Sequence, residues 1–144
     1  MKWKLLGVMV AMIAFPTGLK AQDDPFLGIW ELKTEAQTQL IVTVPAPGGG
    51  FTDLRIRIDK DNKASSESHP VAFDGKPYQT TGGDARLISY KRIDANTIER
   101  IVNRDGTITM DTVQISKDGN TLTLKQATGE RSYKKLFNVR ELGR

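Results

Sequence analysis

The chain has 144 residues, 21 lysines and arginines against 17 aspartates and glutamates, one histidine and no cysteine. The missing cysteines exclude disulfides, thiol catalysis, Cys-based zinc sites and dithiol redox chemistry. A lone histidine excludes a histidine-rich metal site, and the length suits one domain that can bury its own core.

The first 21 residues predict a secretory signal. Lys2 and Lys4 precede an apolar stretch at residues 5–15, Pro16 and Gly18 break it, and Ala21 offers a small residue at a cleavage point before Gln22. The stretch is short for a bilayer span, which needs about 20 apolar residues; a retained anchor is the other reading. Without a cysteine near the cleavage point, no lipid anchor is expected. Export to the periplasm or beyond the cell, without a stable membrane anchor, is therefore the expectation. Losing Lys2, Lys4 and Lys20 leaves 18 basic against 17 acidic residues over 22–144. The basicity belongs mostly to the signal, and no nucleic-acid or anionic-membrane partner is expected.

Residues 22–144 read as one all-β domain. Residues 26–33 form a first strand around Trp30 and residues 39–44 a second, ended by the Pro45-Ala46-Pro47-Gly48-Gly49-Gly50 break. Residues 34–38 between them are the sole candidate for a short helical turn. Leu54-Arg55-Ile56-Arg57-Ile58 alternates cleanly, which predicts a third strand with Arg55 and Arg57 on a solvated outer face. Residues 59–68 are polar, a loop or an exposed edge strand. Further strands are expected at 71–73, 78–80, 87–93, 97–104, 107–116, 121–126 and 132–139. Asp74-Gly75, Asp105-Gly106 and Asp118-Gly119 punctuate them, and Asp-Gly between alternating apolar residues is a strong hairpin signal. The sum is an antiparallel up-and-down meander of about 8–10 strands.

Turn lengths predict registers. With residues 94–97 as a four-residue turn, Tyr90 faces Ile101 and Arg92 faces Glu99. Across the two-residue turn Asp105-Gly106, Ile101 meets Met110 and Arg100 meets Asp111. One face then carries Ile88, Tyr90, Ile101, Ile108 and Met110 as an apolar row. Val113 and Ile115, which pair with Leu124 and Leu122, have the opposite parity, so a β-bulge is expected near Asp111-Thr112. A sheet apolar on both faces is the alternative.

The opening strand Phe26-Leu27-Gly28-Ile29-Trp30 resembles the Gly-x-Trp first strand of lipocalin-like proteins. The stretches FDGKPYQTTGG (73–83), SYKRIDANTIE (89–99), RDGTI (104–108) and SKDGNTLTLKQ (116–126) resemble a family of small exported bacterial lipocalin-like proteins. The resemblance covers nearly all of residues 22–144. It implies a lipocalin-like barrel with an interior cavity, and no chemistry. The chain departs from longer lipocalins in lacking a C-terminal helix and any disulfide.

The candidate ligand-binding residues follow from these readings. Ile88, Tyr90, Ile101, Ile108 and Met110 line a pocket if the barrel is hollow and form core if it is filled. Arg92, ending that row at a barrel mouth, is suited to a ligand carboxylate, although Glu99 opposite would neutralise it. Trp30 reads as a plug that closes one end, with ligand stacking as the other role. The Gly48-Gly49-Gly50 loop lacks the Gly-Lys-Ser/Thr of a phosphate loop and could form a lid at the barrel mouth. Asp59, Asp61 and Asn62 read as a turn rather than a calcium loop. His69 is placed in a polar loop, where Ser68 points away from it. No catalytic, metal or cofactor constellation is expected. The expectation is a monomer that binds a small hydrophobic or amphipathic ligand. The alternative is a filled-core envelope protein recognising a partner through residues 59–68 or the Gly-rich loop.

Overall fold

The computed structural model describes residues 24–138. The signal read at residues 1–21 lies outside them, as does Val139, the expected end of the last strand. Among the described residues there are ten strands and no helix: β1 (Gly28–Lys33), β2 (Gln37–Pro45), β3 (Phe51–Asp59), β4 (Ala64–Val71), β5 (Tyr78–Gln79), β6 (Leu87–Asp94), β7 (Thr97–Arg104), β8 (Thr107–Ile115), β9 (Thr121–Gln126) and β10 (Gly129–Phe137). They form one antiparallel sheet in the order β4-β3-β2-β1-β10-β9-β8-β7-β6-β5. The sheet curls until Ser68 of β4 exchanges two backbone hydrogen bonds of 2.8 Å with Thr81, just beyond β5. This is the expected all-β meander, nearly closed into a barrel.

Turn chemistry explains the hairpins. Asp105 and Gly106 have φ of 50° and 85°, so Arg104 pairs directly with Thr107 across a two-residue turn. Residues 34–36 are a bend rather than a helical turn. There the Thr34 N–H and hydroxyl both donate to the Gln37 carbonyl, which starts β2 at once. The polar stretch after β3 divides. Asp59 Oδ1 accepts from the Asp61 and Lys63 amides at 2.9 Å to make a turn, and β4 follows as a true strand that contains His69.

The predicted β7–β8 register is correct: Ile101 pairs with Met110 and Arg100 with Asp111. The β6–β7 register is offset by one residue. The turn tightens to residues 95–96 with Asp94 paired to Thr97, and a bulge at Ile93 follows, so Arg92 rather than Ile93 pairs with Ile98, and Tyr90 with Arg100. Glu99 sits opposite Lys91 instead of Arg92. A one-residue slip exchanges the two faces of a strand. Ile88 and Tyr90 therefore point inward, while Ile101, Ile108 and Met110 lie on the outer face, the last two 67% and 60% exposed. The bulge expected near Asp111-Thr112 is absent, because β8 runs unbroken from Thr107 to Gln114 against β7. Its odd residues Asp111, Val113 and Ile115 are buried, and of its even residues Ile108 and Met110 are exposed apolar side chains on the outer face.

A matched pair of substitutions checks this parity. Met110→Asp is expected to change stability by no more than about 0.5 kcal/mol. Val113→Asp, which buries an unpaired charge, is expected to cost about 3 kcal/mol or more in urea denaturation. A larger loss for Met110→Asp than for Val113→Asp would show that β8 faces the other way.

Candidate functional site

The barrel interior has two halves. At the end where β2 meets β3, the inward residues are apolar: Phe26, Trp30, Ile41, Phe51, Val71, Ile88, Ile98, Val113, Ile115, Leu122 and Leu124 are all buried. Phe51 and Phe73 meet edge to face at 5.3 Å. The remaining void there is about 40 Å³, room for a water or two and no more. This half is solid core. The 46–50 loop lies at this end, joining Pro45 to Phe51, and so covers no open mouth.

Arg92 also lies at this closed end. Its guanidinium donates to Asp24 at 2.6 Å and to the Ala95 carbonyl at 3.2 Å. It stands 4.6 Å from the Phe73 ring centroid, with Phe26 and Phe51 close by. Carboxylate and rings together satisfy it as a cap on the core, which corrects its placement at a ligand-accepting mouth. Trp30 has no exposed surface, donates from Nε1 to the Phe26 carbonyl at 3.1 Å and carries the Lys135 ammonium 4.5 Å from its ring centroid. It lines neither void. Ile88 is equally buried away from both, while Tyr90 borders the small apolar void.

The other half is hollow. A chamber of about 570 Å³ is lined by Arg55, Arg57, Arg86, Arg100, Arg104 and Arg131, against only Asp105 and Asp111. Strand alternation brings them there. Arg55 and Arg57 are the inward residues of β3, Arg100 and Arg104 of β7, and Arg131 of β10. This overturns the solvated outer face read for Arg55 and Arg57. The cost of inward charge is met by acids on the same and neighbouring strands and by the opening itself, since Arg104, Asp105 and Arg131 are exposed at the rim. Arg55 contacts Asp53 at 3.3 Å, Arg86 pairs with Glu67, and Arg100 grips Asp111 through Nε at 3.0 Å and through a second N–H.

A polar layer separates the halves. The His69 Nε2 and Tyr90 hydroxyl are 2.6 Å apart, Asp53 lies 3.5 Å from the same nitrogen, and Thr43 donates to Asp53 at 2.9 Å. Tyr133 donates to Gln39 at 3.0 Å. Burial pushes His69 down to about 4, and Arg55, Arg100 and Arg86 reinforce it against the pull of Asp53. Burial also raises Tyr90. For Arg55, burial opposes the charge, but Asp53, with Tyr90, Tyr133 and Glu67, outweighs it and holds the guanidinium above its ordinary value.

The His69 environment has a consequence for stability. Its folded pKa lies below the unfolded value of 6.5, so the unfolded chain takes up the proton first. The contribution is complete above about pH 6.5 and is lost as pH falls toward 4. Between pH 8 and pH 5 the protein is expected to lose about 2 kcal/mol more than the His69→Gln variant. Parallel pH profiles of the urea midpoint for the two proteins would refute this.

Sequence reasoning missed the arginine chamber, although a signal was present. The pairing of Val113 with Leu124, carried through the correct β7–β8 register, lands on Ile98 and marks Ile98 and Arg100 as inward. Compared with protein-family models, curated proteins and solved structures, the chain matches none.

Proposed function

We propose that this chain is an exported, monomeric lipocalin-like binding protein that carries one small amphipathic molecule in the chamber of its barrel. The observation that carries this reading is the chamber of about 570 Å³, within the roughly 300–1,000 Å³ of small-molecule sites. Ile41, Val102 and Leu124 among its lining residues receive the apolar part of the guest. Thr107, Thr109 and Tyr133 offer hydroxyls to its polar groups. A ten-strand barrel whose far half is solid core is a rigid cup, and a rigid cup loses little entropy when it is filled.

The chamber favours this reading over a filled-core interaction protein, whose premise is a solid interior. Native mass spectrometry of protein purified without denaturation is expected to show one small-molecule adduct per chain. Absence of any adduct, with no gain in Tm from a panel of acyl, aromatic and sterol amphiphiles, would overturn it.

A further inference from the structure

We infer that the polar end of the chamber's guest is an oxyanion (phosphate, sulfate or carboxylate) received by Arg57, Arg104 and Arg131 at the rim and Arg86 and Arg100 below. This rests on the reading that the chamber binds a small molecule, and it specifies the chemistry of that guest.

The arginines of the chamber divide by depth. Arg55, Arg86 and Arg100 have carboxylate partners in Asp53, Glu67 and Asp111. The rim arginines differ. Among the described residues no carboxylate comes within 4.0 Å of Arg57 or Arg131, and Arg104 reaches only the exposed Asp84, at 3.9 Å. Three cationic forks from β3, β7 and β10 thus line one opening whose own carboxylate, Asp105, lies within 4.0 Å of none of them. Like charges gathered in a concave, partly desolvated space repel one another and focus a positive potential. A barrel with no use for that field would turn such side chains outward.

A second observation is independent of net charge. Arg86 lines the chamber with a side chain only 8% exposed, and its buried Nε–H has no acceptor. A buried donor left unmatched costs free energy, and a guest oxygen would satisfy it. Guanidinium forks match the geometry of oxyanions through paired hydrogen bonds, which an alcohol or an amine cannot exploit. Attraction to a cation is excluded by the same charges.

The test is calorimetric titration of the full chain at low salt with octyl phosphate, octanoate, octanol, octyltrimethylammonium and inorganic phosphate. Octyl phosphate and octanoate are expected to bind one to one, and octanol about tenfold or more weakly. The Arg57→Gln/Arg104→Gln/Arg131→Gln variant, with its Tm little changed, is expected to bind the anionic probes about tenfold more weakly. A control with the same loss of charge on outward-facing lysines, Lys91→Gln/Lys117→Gln/Lys125→Gln, is expected to bind as the parent does. Inorganic phosphate binding as tightly as octyl phosphate would support the oxyanion and show that the alkyl chain adds nothing. Octanol matching octyl phosphate, or equal losses in the two triple variants, would overturn the oxyanion while leaving the binding function standing. Binding of none of the probes would overturn both.

Discussion

Arg100→Ala is expected to lower the stability of the fold by about 3–5 kcal/mol, the usual consequence of stranding one member of a buried ion pair. Arg100 is 4% exposed and Asp111 3% exposed, and they are direct cross-strand neighbours on β7 and β8. Besides Arg100, the same Asp111 oxygen has only the Gln126 amide, at 3.5 Å. Removing the guanidinium therefore leaves a carboxylate with almost no compensation in a space it cannot leave. The double substitution Arg100→Met/Asp111→Leu is expected to be nearly neutral, because exchanging both charges for apolar groups of similar volume removes the desolvation cost together with the attraction. Urea denaturation of the parent, the two single variants and the double variant reads the coupling directly. A single-variant loss under about 1 kcal/mol would show that water reaches Asp111 and that the pair is not buried as described.

Trp30→Ala is expected to cost about 3–5 kcal/mol, the range for emptying a large core position. The indole touches several parts of the barrel at once. It faces Ile41 on β2, its N–H satisfies the Phe26 carbonyl ahead of β1, and its ring receives Lys135 of β10. Loss of the indole leaves that carbonyl without its partner and Lys135, whose pKa burial already lowers, without its aromatic platform. Trp30→Phe keeps most of the volume but not the hydrogen bond, and is expected to lose about 1–3 kcal/mol. Far-ultraviolet circular dichroism during urea denaturation separates the two variants. An unchanged midpoint for Trp30→Ala would refute its role as the packing centre of the closed end.

Most of the architecture was legible because it is written locally. Asp105-Gly106 takes positive φ at both positions, so the β7–β8 ladder follows from two adjacent residues. The inner surface was not legible, since it depends on one inserted residue, Ile93, whose bulge carries no signature in a stretch that alternates on both sides of it. Counting residues around the turn gave Tyr90 the neighbour Ile101, and the placements of Ile101, Ile108 and Met110 then inverted, whereas Val113 and Ile115 lie inside as expected.

The arginines were hidden for another reason. An alternating Arg-Ile-Arg-Ile strand normally signals a wet outer face, and what reverses it here is Asp53 two residues before Arg55 together with neighbours from distant sequence. Glu67 meets Arg86 across 19 residues, and Asp24 meets Arg92 across 68. Leu54, Ile56 and Ile58 can face outward on β3 because they are only half buried there. Hydrophobic parity assumes that the core is greasy throughout, and in this barrel only half of it is.

The closure of the barrel has a consequence of its own. From β4 round to β6 the long strands are joined by ladders of three or more pairs, and β5 joins β6 by two. Between β4 and the short β5, however, a single bridge at Ser68 and Thr81 holds the wall, with the Arg86–Glu67 pair as the nearest staple. A cylinder stitched at one point unzips there first, so the amides of Ser68 and Thr81 exchange with solvent ahead of the other rungs. Arg86 is part of both the stitch and the chamber wall. On the proposed binding function, a guest held by Arg86 would bear on the seam as well as on the chamber wall.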